Sequence, residues 1–147
     1  MTSSKTVVPS LDAELLCGSH NYDDILTERV TQARELLIYI LNLFNEDSIP
    51  EIWVVVGHLF LDSCAGIHSA YPAGTDWFSH NSGGEYTPDS RWFGQNLSNA
   101  IRDSEIGHAI GLHAFPHTNF GMQDVSKEVA ETELQNPRPK LLTSENE

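Results

Sequence analysis

The stretch from Ile52 to Val56 reads Ile-Trp-Val-Val-Val, an unbroken apolar run made almost wholly of β-branched side chains. A strand of this kind has no wet side. It fits a sheet covered on both faces, which is the usual situation of parallel strands. Just before it, Leu26, Val30, Ala33, Leu37, Ile40, Leu41 and Phe44 recur at three- and four-residue steps, so a helix is expected from about Asp24 to Asn45. Ser48-Ile49-Pro50 stops that helix. A long amphipathic helix feeding a doubly buried strand is half of a βαβ unit, and the rest of the chain follows this rhythm.

The first strand is expected over Thr6 to Leu11, with Pro9 marking it as a sheet edge because proline cannot donate to a ladder. His58 to Cys64 reads as a short helix or turn. Ala65 to Pro88 is rich in Gly, Ser, Pro and aromatic residues and is longer than a plain connection, which suggests a substrate-side loop. Within and after it, Trp77, Trp92, His68 and His80 suit stacking on a ligand or packing the loop down. A second helix is expected over Ser90 to Asp103, from the stripe Trp92, Phe93, Leu97 and Ile101, and a third strand over His108 to Leu112. A last helix from about Asp124 to Leu134, with Asp and Ser as capping candidates, ends at Asn136-Pro137-Arg138-Pro139. The expected fold class is α/β, a parallel sheet of about three βα units in order 1-2-3, over residues 5–135. Residues 136–147 read as a polar, disordered tail.

Eight Lys and Arg stand against 21 Asp and Glu, a formal charge of −13. Such a surface repels phosphate backbones and anionic head groups, so nucleic acid and membrane surfaces are poor partners. No stretch approaches the ~20 apolar residues of a membrane span, and Met1 to Thr6 shows no run of signal-peptide type; a cytoplasmic location is expected. Cys17 and Cys64 have no CxxC spacing and are expected to be reduced, with neither a disulfide framework nor a thiolate zinc site.

In parallel α/β sheets the working residues gather in the loops after the strands. Two polar clusters lie there: Asp12-Ala13-Glu14 after the first strand, and His113 with His117 after the third. Two imidazoles and one carboxylate form a donor set for Zn²⁺, Co²⁺ or Ni²⁺, leaving the other carboxylate to accept a proton. The His-x-x-x-His spacing alone is weak, since bare carboxylate loops and packed histidines are common, although chance supplies only roughly 0.3 His–His pairs of this kind. A helical HExxH site is excluded, because the Glu is missing and Pro116 lies between the histidines.

The strings SLDAELLCG (Ser10 to Gly18), IPEIWVVVGHLFLDSC (Ile49 to Cys64) and IGLHAFPHTNFG (Ile110 to Gly121) together resemble the polysaccharide deacetylase family, the NodB-homology carbohydrate esterases. The likeness is to the branch whose first motif is D-x-E, and it spans about Val7 to Leu134. It implies Asp12 as catalytic base, and Glu14, His113 and His117 as ligands of one divalent metal, most simply zinc. The implied reaction is hydrolysis of N-acetyl groups on the amino sugars of a poly- or oligosaccharide. Ala114 stands where the family has Ser or Thr, and Cys17 where this branch commonly has Trp. The family's later motifs, an Arg orienting the base and a general-acid His, have no counterpart here, which leaves His58 as the nearest substitute acid. A closed barrel of this type needs on the order of 200 residues or more. The resemblance therefore implies an incomplete (β/α) barrel, a truncated and weakly active deacetylase. Its open sheet edges would favour self-association or a complementing chain, and an inactive carbohydrate- or metal-binding remnant is the other outcome.

Overall fold

The computed structural model describes residues 6–18, 24–66, 83–115, 117–118, 120 and 125–135. Three parallel strands form its main sheet: β1 (Ser10–Ala13), β2 (Ile52–Val55) and, after a two-residue hairpin pair, β5 (Ala109–Leu112), in the order β1-β2-β5. The pair is β3 (Ser63–Cys64) with β4 (Gly84–Glu85), antiparallel. Helices α1 (Asp24–Glu46), α2 (Gln95–Arg102) and α3 (Lys127–Gln135) follow β1, β2 and β5. The α/β class and the three-strand parallel order match the sequence expectation.

The central strand runs where its composition demands. Ser10 to Ala13 pair in register with Ile52 to Val55, and these with Ala109 to Leu112, so Ala13, Val55 and Leu112 stand side by side at one end. One face of the sheet carries Ala13, Trp53 and Val55, all essentially inaccessible, packed in one cluster with Leu41 of α1 and Leu97 and Ile101 of α2. The opposite face carries Ser10, Asp12, Ile52, Val54, Ala109 and Gly111, none of them fully buried. The expectation of cover on both faces therefore holds for one face only among the described residues.

Several boundaries moved, each for a local reason. The first strand is Ser10–Ala13 instead of Thr6 to Leu11. Pro9 stays outside the ladder and offers its carbonyl to the Ile52 N–H at 3.0 Å, so pairing begins where donors begin. Asp12 thus lies within a strand, not in a loop. The second helix starts only at Gln95, because the preceding backbone is otherwise engaged. The Arg34 guanidinium of α1 donates to the Ser90 and Phe93 carbonyls and to Asn96, and the Gly94 N–H donates to the Leu59 carbonyl at 2.7 Å. Helix α3 begins one turn late, at Lys127, capped by Ser126, whose hydroxyl accepts the Val129 N–H. His58 to Cys64 resolves into a 3₁₀ turn, Gly57–Phe60, and then β3. Most of the expected substrate-side loop, with His68, Trp77 and His80, lies outside the described residues, as does the tail 136–147. No helix among the described residues is long and apolar enough to cross a membrane.

Candidate metal centre

Glu14 is the residue after β1 and His113 the residue after β5, so parallel pairing brings their backbones to the same end of the sheet. The His113 N–H continues the ladder by donating to the Val55 carbonyl at 2.9 Å. Four residues later His117 folds back. Its ring lies edge-on to that of His113, with centroids 4.7 Å apart.

The three donor atoms converge. Glu14 Oε1 is 2.9 Å from His113 Nε2 and 3.1 Å from His117 Nε2, and the two Nε2 atoms are 3.1 Å apart. Donors held ~2.1 Å from one cation and roughly at right angles to each other stand ~3 Å apart, so the triangle has the size of one face of a coordination sphere. The nitrogen, nitrogen, oxygen set fits a borderline divalent ion such as zinc. Two imidazole edges also cannot both face one carboxylate oxygen and each other with every contact a good hydrogen bond, whereas a cation satisfies all three lone pairs. Side-chain exposures of 29%, 34% and 27% for Glu14, His113 and His117 leave the triangle open to small molecules.

The electrostatics are those of an ion pair. The hydrogen bond from His117, aided by the charge of both histidines and opposed by partial burial, holds the Glu14 carboxyl below its usual range. The same hydrogen bond lifts His117 above the usual imidazole value, against desolvation, with help from the charges of Glu14, Glu133 and Asp12. Asp12 is exposed on β1, two residues before Glu14, and close enough for its charge to act on His117.

Backbone strain gathers at the same place. Leu15, Ala114 and His117 have φ of 49°, 58° and 63°, three of the four left-handed non-glycine residues among those described. Each such residue costs on the order of 1 kcal/mol and persists only where surroundings impose it, commonly at binding sites. The imposing contacts are visible. The Gly57 and His58 N–H groups donate to the carbonyls of Ala114 and Phe115 at 2.8 and 3.0 Å. A Cβ at Gly57 would lie only 3.2 Å from the Phe115 Cα, so glycine is what allows the close approach. From the other side, the Glu133 carboxylate accepts the N–H groups of Phe115 and Thr118 and the Thr118 hydroxyl.

His58 is not brought to the ligands. It is fully buried, its Nδ1 2.9 Å from the Trp92 carbonyl oxygen and its ring packed among Trp92, Phe93 and Phe115. A substitute general acid would need a path to substrate, and this imidazole is enclosed instead; its visible role is to pack behind the His113–Thr118 loop. Cys17 is buried as well, and desolvation raises its thiol pKa, which keeps it an inert thiol. Two contributors were missed from sequence: Gly57, and Glu133. For Glu133 a signal existed, since it lies four residues after buried Val129 and so puts a carboxylate on the apolar stripe of α3. Comparison of the chain with protein-family models, curated proteins and solved structures finds no match.

Proposed function

We propose that this chain is a metal-dependent hydrolase of the deacetylase type, with Glu14, His113 and His117 holding one divalent ion, zinc in the first instance, and Asp12 acting as general base. The observation that supports it is the convergence of the three donor atoms within 3.1 Å of one another, with the exposed Asp12 carboxylate on the adjoining strand. A bound ion would polarise an amide carbonyl and lower the pKa of water. Asp12 accepts the proton from the attacking water, and Glu14 and the two neutral imidazoles keep the site anionic enough to retain a cation. The N-acetyl group on an amino sugar of a poly- or oligosaccharide is the substrate class that the resemblance to polysaccharide deacetylases supplies.

The proposed turnover is slow. No arginine pairs with Asp12 and His58 is enclosed, so among the described residues neither an orienter of the base nor an accessible acid is in place. Each such loss typically costs on the order of 10²–10⁴ in rate. Among the described residues one sheet face is only partly covered and the outer edges of β1 and β5 pair with no strand, which supports a second reading, in which further strands from another copy or a complementing chain complete the barrel. Metal analysis and acetate release from chito-oligosaccharides with added Zn²⁺ or Co²⁺ test both. The expected result is one bound ion and weak release that Asp12→Asn abolishes. Equal metal content in the His113→Ala/His117→Ala variant overturns the site, and release untouched by Asp12→Asn overturns the base.

A further inference from the structure

We propose that Glu133 is a positioning residue of this metal centre: through the backbone of the His113–Thr118 loop it holds the two imidazoles where they converge on Glu14. The inference rests on reading the triangle as a metal site. It begins from an anomaly, a carboxylate with no exposure at all on a short surface helix. Burial of such a group is expensive unless its oxygens are saturated with donors. Here Oε2 accepts the Phe115 N–H at 2.6 Å, while Oε1 accepts the Thr118 N–H at 3.1 Å and also the Thr118 hydroxyl.

The placement of these donors is informative. Phe115 lies two residues after the first histidine and Thr118 one after the second, so the carboxylate brackets His117 and anchors the chain just beyond His113. That segment cannot form a helix turn, with Ala114 and His117 both left-handed. On its β2 side the hydrogen bonds from Gly57 and His58, and from the His113 N–H to Val55, reach only residues 113–115. Glu133 reaches beyond them to Thr118. Its carboxylate also lies close enough for its charge to act on His117.

A glutamine at this position has the same shape but one acceptor oxygen, so its amide group must face an N–H on one side. The full chain is titrated with Zn²⁺ against a chelator and with Co²⁺ by absorption, with circular dichroism establishing that each variant is folded. Glu133→Gln is expected to bind zinc about 10–100-fold more weakly than wild type and to shift the Co²⁺ bands. Thr118→Val, which removes only the hydroxyl, is expected to show the same band shift with a smaller loss, and it decides the matter if Glu133→Gln does not fold. A folded variant with wild-type zinc affinity and an unchanged Co²⁺ spectrum overturns the proposal, because support of the fold alone would not leave the ion's surroundings altered. Absence of metal from the wild type would instead remove the underlying site, and the proposal with it.

Discussion

The two ends of the main sheet carry the same residue types in opposite states. At the C-terminal end, Glu14 and His117 share a hydrogen bond, are partly exposed, and each favours the charged form of the other. At the N-terminal end, Glu51 precedes β2 and His108 precedes β5, and both side chains are buried. There the Glu51 N–H donates to His108 Nδ1 at 3.3 Å, and His108 Nε2 lies 2.9 Å from Asn45 Oδ1. Nδ1 is thus the acceptor and Nε2–H the donor, which fixes a neutral imidazole. Burial lowers the His108 pKa, and it raises that of Glu51 against a smaller opposing pull from the Trp53 indole. The Glu51 oxygens make no hydrogen bond among the described residues, and the nearer is 3.9 Å from His108 Nδ1. The difference is one of surroundings: direct contact with an imidazole and partial exposure favour the ionised form of Glu14, whereas burial without a hydrogen-bonding partner among the described residues favours the neutral form of Glu51.

The strongest way to break this contrast is to remove the ligands at one end. The His113→Ala/His117→Ala variant should lose bound metal altogether, measured by elemental analysis of the purified protein. An ion retained in that variant would mean that the His108 end, or another set, binds it. Gly57→Ala should come next. Its Cβ would meet Phe115 and the Ala114 carbonyl at 3.1 to 3.3 Å, pushing the loop outward, with a loss of about 1–3 kcal/mol by urea unfolding and a weaker zinc site. Unchanged stability would show that the loop yields freely.

The pH dependence should divide between the ends. His117 has a raised folded pKa, so its stabilisation is full below its unfolded value, about 6.5, and is lost as pH rises through the folded one. Glu51, also raised, is favourable below about 4.3 and loses that advantage as pH rises through its folded value. Metal-free protein should therefore weaken as pH rises, and Glu51→Gln should make the decline shallower; an identical slope would mean that Glu51 is not buried neutral. On the acid side the reverse pair acts. Glu14 loses its contribution as pH falls through its lowered value, and His108 loses its own as pH falls below about 6.5 through its lowered value. Added zinc should oppose the alkaline loss, because the ion takes the neutral imidazoles that deprotonation supplies. The smallest effect expected is for Ala114→Gly. Relief of the left-handed strain is nearly offset by the greater freedom of the unfolded chain, for a net change within about 1 kcal/mol by thermal unfolding.

What the sequence determined by itself is what repeats over short distances. The three- and four-residue spacing of Val30 to Phe44 defines α1, and the β-branched run defines β2, because backbone periodicity is local and each apolar stripe implies its own element. The parallel direction of the three strands follows from intervening helices that can carry the chain back across the sheet. Tertiary structure decided the rest. Pro9 could have sat within an edge strand, and only its pairing with Ile52 shows β1 starting after it. His58, at the C-terminal end of a strand, reads from sequence either as a substitute acid facing the site or as a hydrogen-bonded structural histidine, and only packing by three aromatic rings encloses it. His108 and His113 flank the same four-residue strand and are equivalent to any local rule. The site itself joins residues 99 apart, Glu14 and His113, and is tied down by a carboxylate from α3. Local sequence sets which way a side chain points along its own element. Whether that side chain is charged, hydrogen-bonded or sealed depends on groups brought from elsewhere in the chain, and only folding brings them.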